Sequence, residues 1–130
     1  MNANVRYFSD ARGTLAVIEH NRDVDFGFER VYWLTGLDLA QPRGFHAHRR
    51  TRQVAICVQG SLRMVMEHFG CPPHDVLLAA GGAGLAIEAM VWHEMHDFSS
   101  DCILLVLADS GHDEADYIRD RAAWEAASRG

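Results

Sequence analysis

Apolar side chains recur along this chain in short runs, each closed off by turn-forming residues, and that spacing predicts strands. "TLAVIEH" (14–20) and "FGFERVYWL" (26–34) are bounded by "DARG", "HNRD" and "TGLD". "GFHAHRR" leads into "QVAICVQGS", and "LRMVMEH" (62–68) follows a two-residue Gly60–Ser61 turn, a hairpin signal. "HDVLLAA" (74–80) and "GLAIEAM" (84–90) flank a glycine-rich "GGAG", and "VWHEMHDFS" and "CILLVLADS" complete the series. Many short strands at close spacing predict a small sandwich or barrel. Only the tail, "DEADYIRDRAAWEAASR" (113–129), has the acidic start and the Ala, Glu and Arg content of a helix. No linker, repeat or biased tract interrupts the pattern, so residues 1–130 are expected to form a single mostly-β domain.

Two runs, 54–58 and 102–108, are apolar at every position, so both of their faces need covering. In a chain this small the cover comes either from the same chain or from a second subunit, and the sequence favours the subunit. The glycines of "AAGGAGL" (79–85) lack the lysine and following helix of a phosphate loop, which makes them a flexible turn.

Composition narrows the chemistry. The chain is 48% hydrophobic and 23% charged, ordinary for a globular protein, with a net charge of −6 that draws no nucleic acid. Positive charge is local: Arg43, Arg49, Arg50 and Arg52 surround two histidines, a patch suited to a small anionic ligand. The start has no apolar signal-peptide core, and the longest apolar stretch, "CILLVLA", is far too short to span a bilayer. Of the three cysteines, Cys57 and Cys102 lie in strand-like runs as small buried hydrophobes, while Cys71 falls in a turn. The expected location is the reducing cytoplasm, with no membrane partner.

In a strand, residues two apart point to the same side, so His46 and His48 project together, with Gly44 and Arg50 on that face. Gln53 follows five positions after His48, Gly60 seven after that, and His93 lies on a later strand. His-x-His, an acidic or amide residue, a glycine and a distant histidine resemble the spacing of the cupin barrel, whose ligands converge on its interior. A metal-binding cupin carries Glu where this chain has Gln53, and a neutral amide is the weaker ligand. Three imidazoles can still bind zinc. The missing carboxylate and the nearby Arg43 nonetheless point to a site without metal.

Longer motifs carry a closer resemblance. "DARGTLAVIE", "RVYWL", "RGFHAH", "QVAICVQGS", "VWHEMHDFSSDCILLVLA" and "DEADYIR" are similar to the sugar 3,4-ketoisomerases that act on dTDP-4-keto-6-deoxyglucose, from about residue 9 to 120. The resemblance implies an all-β cupin (jelly-roll) barrel with a short C-terminal helix, a homodimer, no cofactor, and a role in making 3-amino-3,6-dideoxy sugars. Two stretches depart from it: Glu88–Ala89 replaces a Gly-Pro found in many members, and the hairpin around Cys71–Pro73 is atypical.

Moving a ketone from C4 to C3 requires removing the C3 proton, forming an enediol(ate), protonating C4, and carrying a proton between the two oxygens. Neutral imidazole suits both proton jobs. By resemblance His48 is the carbon base and His46 the oxygen shuttle. Arg43 and Tyr32 are candidates to polarise the oxygens, and Arg43 to keep the imidazoles uncharged. Arg12, Arg30, Gln53 and His93 are candidates for diphosphate or sugar contact. Trp33 and Trp92 offer faces for thymine, but core packing is the expectation for both. Competing readings are a 3,5-epimerase on the same substrate class, a non-catalytic sugar-nucleotide-binding cupin, and a metal-dependent oxygenase. The product is expected to have the galacto configuration at C4.

Overall fold

Strands dominate the computed structural model, which describes residues 3–130. β1 (Arg6–Asp10) and β2 (Gly13–Val17) form a separate antiparallel hairpin. One four-stranded sheet contains β3 (Arg30–Leu34), β5 (Gln53–Gln59), β8 (Leu85–Ile87) and β10 (Ile103–Ala108), in the order β3-β10-β5-β8. The other contains β4 (Arg43–His48), β6 (Ser61–Glu67), β7 (His74–Ala79), β9 (Trp92–His96) and β11 (Tyr117–Ile118), in the order β11-β4-β9-β6-β7. A single 3-10 turn, Glu114–Asp116, precedes β11, and α1 (Arg121–Arg129) closes the chain. The expected all-β jelly roll with a short C-terminal helix has formed, with its two sheets left unclosed.

Alternation explains the packing. In "SLRMVME" every second residue, Leu62, Met64 and Met66, is buried, while its neighbours are partly or fully open. These side chains meet Ala55, Cys57, Leu104 and Val106 of the opposite sheet in one core between the sheets. Tyr32 and Leu34 pack against that core from β3.

Three sequence expectations change. Gly60–Ser61 joins no hairpin: β5 pairs with β8 and β10, whereas β6 pairs with β7 and β9. Gly60, at φ +75°, carries the chain from one sheet to the other, against the segment ending at Cys102. Mutual hydrogen bonds between Ser61 and Ser99 hold this corner where strand pairing was predicted.

Secondly, the outer face of the apolar runs is covered by this chain itself. Val54, Ile56 and Leu107 pack with Ala3 and Val24, flanked by Val5, Ile18, Phe26 and Phe28. Phe26 and Phe28 do this from an irregular segment, so the strand expected at 26–34 begins only at Arg30. What remains open is Val31, Trp33 and Val58, so Trp33 is not a core residue. Trp92 is one: with Ala47, Ile118 and Trp124 it forms a third cluster beneath α1.

Thirdly, the helix expected at 113–129 is confined to Arg121–Arg129, capped by Asp120, whose side chain accepts from the Ala123 amide. The residues before it leave the helical path because Tyr117 and Ile118 pair with His48 and Ala47. Among the described residues no helix is long and apolar enough to cross a membrane.

β4 carries a bulge between Gly44 and His46, where Gly44 adopts φ +90° and Phe45 φ +59°. A Cβ on Gly44 would fall 2.9 Å from the carbonyl oxygen of His93 and 3.1 Å from the Cα of Glu94. Backbone atoms on the adjacent strand have little room to yield. Gly44→Ala is therefore expected to lower unfolding stability by about 1–3 kcal/mol, read as a reduced urea midpoint. An unchanged midpoint would show that the bulge is not fixed by this approach.

Candidate active site

The bulge turns Phe45 outward against His96, with ring centroids 5.7 Å apart, and leaves His46 and His48 on the inner face of β4. The two imidazole centroids lie 5.0 Å apart. His93 arrives from β9, directly paired with His46, and its ring sits 4.6 Å from that of His46 and 6.1 Å from that of His48. Tyr117 of β11 packs over both imidazoles of β4, 4.4 Å from His48 and 5.0 Å from His46. On the facing sheet, buried Gln53 donates from Nε2 to the Tyr32 hydroxyl at 2.8 Å. The polar members of the inner strand faces thus gather at one end of an otherwise apolar interior.

That end opens into a cavity of about 390 Å³ lined by Arg30, Tyr32, Leu34, Arg43, Gly44, His46, Met95, His112, Tyr117 and Arg119. Of the residues selected from sequence, Arg30, Tyr32, Arg43 and His46 line it. His48, His93 and Gln53 are buried just behind its wall. Arg12 is not brought to it: this side chain is 90% exposed at the tip of the β1–β2 hairpin, paired with Asp10.

Sequence reasoning missed Asp116, Thr51, Tyr117, His112 and Arg119. Asp116 is buried, and its Oδ2 lies 3.0 Å from His48 Nδ1. It also accepts from the Thr51 hydroxyl and the Arg50 amide. Taking 113–129 as a helix hid Asp116, Tyr117 and Arg119. The apolar Tyr-Ile pair after Asp116, which suits a strand better than an exposed helix start, was the available signal.

The three imidazoles are held uncharged. Burial pushes His46 down to about 4, helped by His48 and Arg119 and opposed by the Gly44 backbone. Burial likewise lowers His48, although Asp116 pulls the other way. His93 is driven to about 3 by burial and by His46. Desolvation, rather than the charge of Arg43, is the leading cause. Burial also raises the Tyr32 phenol, which therefore stays protonated as a donor. For Asp116, burial favours the acid, but the Thr51, Arg50 and His48 hydrogen bonds hold it below its ordinary value.

Buried polar atoms normally find partners, so exceptions mark places built for something else. Arg30 Nε, His46 Nδ1 and His48 Nε2 are buried without a hydrogen-bond partner among the described residues. All three belong to the cavity wall or to the layer behind it, and the fourth such atom, Ser128 Oγ, lies apart on α1. His46, His48 and His93 each offer a nitrogen within 4.8 Å of the others, an arrangement that could take a metal ion. Gln53 adds no carboxylate to that set, and its amide is engaged with Tyr32. With three arginines on the wall, the cavity suits a polyanionic ligand of moderate size, and neutral imidazoles beside it suit proton transfer.

Comparison with known proteins agrees with this chemistry. The family described as FdtA, WxcM-like, C-terminal matches residues 2–129. A TDP-4-oxo-6-deoxy-alpha-D-glucose-3,4-oxoisomerase of Aneurinibacillus thermoaerophilus is 43% identical over 116 residues, covering 89% of this chain and 83% of the relative. QdtA, a sugar 3,4-ketoisomerase from Thermoanaerobacterium thermosaccharolyticum solved with TDP, superposes with a TM-score of 0.94 at 34% identity, covering 99% of this chain and 93% of that one. A mutant of QdtA with histidine replaced by asparagine has been solved with TDP-4-keto-6-deoxyglucose. A 3,4-ketoisomerase from Helicobacter canadensis also gives a TM-score of 0.94, at 32% identity, over 100% of this chain and 97% of that one.

Burying neutral imidazoles makes stability depend on pH with a definite sign. Unfolded histidine takes a proton near 6.5, whereas His46 in the fold resists until about 4 and His93 until about 3. Between those values the unfolded chain binds more protons, so acidification favours unfolding. The lowered Asp116 adds a loss of the same sign below its ordinary 3.8. Urea midpoints should therefore fall steadily from about pH 7 to about pH 4. A flat or rising profile would show that these histidines are charged, or not buried, in solution.

Proposed function

Because the chain belongs to the FdtA, WxcM-like family, we propose that its cavity holds dTDP-4-keto-6-deoxyglucose and moves the keto group from C4 to C3. The chain is an isomerase, a dTDP-sugar 3,4-ketoisomerase. The observation that carries the reading is the pair of uncharged imidazoles, His46 and His48, on one inner face beside an arginine-lined cavity.

The residues divide the reaction between them. Arg30, Arg43 and Arg119 supply positive charge for the diphosphate and for oxygens that gain charge during enolisation. Tyr32 accepts from Gln53, which leaves the phenolic proton free to point at a sugar oxygen. His48 removes the C3 proton to give the enediolate and returns a proton to C4. His46, on the cavity wall, carries the proton from O3 to O4. Gln53 thereby acts through Tyr32 instead of touching the sugar. One observation favours the reverse assignment of the imidazoles: His46 lines the cavity and His48 stands behind it.

The exposed apolar residues Val31, Trp33 and Val58, with Phe8 and Leu15 on the β1–β2 hairpin, support a homodimer that covers them. Three free cysteines agree with a reducing compartment such as the cytoplasm. Enediol chemistry on these groups needs no metal or organic cofactor.

Incubation with dTDP-4-keto-6-deoxyglucose should give a 3-keto product of galacto configuration by NMR, at the same rate in EDTA. Inversion at C5 with the ketone unmoved would identify an epimerase. Loss of turnover in EDTA, restored by a divalent ion, would overturn the metal-free mechanism. His48→Asn should lower the rate by about 10²- to 10⁴-fold, retain TDP binding, and abolish deuterium exchange at C3. Should His46→Asn alone abolish exchange, the two roles are reversed.

Light scattering at micromolar concentration should give about twice the 14.5 kDa mass of the chain. A clean monomer mass would remove the dimer.

A further inference from the structure

Asp116 is tied to His48 from several directions. Its backbone oxygen accepts from the Arg49 amide at 2.8 Å, and its Oδ1 accepts from the Arg50 amide at 2.7 Å. Its Oδ2 meets both the Thr51 hydroxyl and His48 Nδ1. The loop that follows β4 therefore grips this carboxylate at both ends, and the same strand carries His48. An ionised carboxylate can only accept, so its hydrogen bond with Nδ1 requires the proton to sit on that nitrogen. The Thr51 hydroxyl has one proton, which it spends on Asp116, so the hydroxyl of Ser110, 2.7 Å away, donates to Thr51. Every proton in the chain Ser110, Thr51, Asp116, His48 then has one consistent place.

The consequence falls on the other side of the ring. With Nδ1 protonated, a neutral imidazole carries its lone pair on Nε2, and His48 Nε2 is the buried nitrogen without a partner. His46 has no carboxylate against it, and its own Nδ1 is unpartnered. One imidazole is pinned in a single tautomer by a carboxylate, while the other has no carboxylate to hold it. A base that must present one lone pair benefits from the first condition, and a carrier between two oxygens from the second.

We infer that Asp116, held in place by Thr51, is the positioning residue that fixes His48 as the Nδ1-protonated tautomer and so leaves its lone pair on Nε2, the nitrogen available to act as base. This rests on the ketoisomerase reading for its catalytic meaning, but the tautomer can be measured without turnover. Asp116→Asn offers an amide whose N–H₂ can donate to Nδ1 and stabilise the opposite tautomer. Removing an orienting carboxylate from a buried imidazole base lowers kcat by up to about 10⁴-fold elsewhere.

The test is long-range proton–nitrogen NMR of protein labelled with 15N-histidine, with His48 assigned by the resonance missing in His48→Asn. At neutral pH, wild-type His48 should show a protonated Nδ1 and an unprotonated Nε2. Asp116→Asn should shift it toward the Nε2-protonated form, lower kcat at least about 100-fold, and leave KM and TDP affinity unchanged, as when only a transition-state interaction is lost. Thr51→Val should move the spectrum the same way with a smaller loss. A wild-type His48 protonated on Nε2 overturns the proposal, and this needs no folded variant. So does Asp116→Asn with unchanged tautomer or unchanged kcat. A wild type with no ketoisomerase turnover at all would instead strike the functional reading and leave the tautomer on record.

Discussion

Desolvation of imidazole governs this molecule. Packing two sheets face to face removes water from whatever their inner faces carry, and here one end carries His46, His48, His93, Gln53 and Tyr32. Charging any of these imidazoles would mean placing a cation where little solvent remains. The fold therefore holds them as neutral bases chiefly by burial, with Arg119 adding to the effect. Some of their polar atoms are satisfied, His93 Nδ1 by the Val91 carbonyl, Tyr32 by Gln53 and His48 Nδ1 by Asp116, whereas His46 Nδ1 and His48 Nε2 have no partner among the described residues.

The arginines occupy a different layer. Arg30, Arg43 and Arg119 stand on the cavity wall, where Glu114 pairs with Arg119 at 2.7 Å and solvent or a polyanion can balance the other two. Arg30 also lies over the Tyr32 ring and Arg119 over the Tyr117 ring, at 5.4 and 4.3 Å to the centroids, contacts that orient planar cations without neutralising them. Separating the cationic layer from the neutral one gives a cavity whose charge suits an anionic ligand while its imidazoles stay unprotonated. Burying the arginines beside the imidazoles would have carried a desolvation cost that their place on the wall avoids.

Much of this was legible in the sequence, for a definite reason. Strand periodicity is local, so the inward projection of His46 and His48 follows from two positions in one run, and Arg43 and Tyr32 were found from chemistry near that run. Local reading failed where partners are remote. The turn at Gly60 looked like a hairpin because two apolar runs flank a glycine, but the inner core recruits those runs to opposite sheets. The acidic stretch at 113–116 looked like a helix start because propensity cannot register a strand partner far upstream. Arg12 shows the converse: its residue type suited the ligand, yet the turn it occupies holds it away from the cavity in this chain.

His48 and Asp116 are 68 residues apart in sequence, and His46 pairs across strands with His93. Contacts of such high contact order require large loops to close before they contribute, and they are typically made late, when most of the structure is already in place. The active centre is thus also a latch for the whole topology. Until the C-terminal turn docks on the loop after β4, a nascent or partly unfolded chain has histidines but no organised base. Local opening that releases Asp116 from the loop after β4 would likewise leave His48 without its partner, even with both sheets intact.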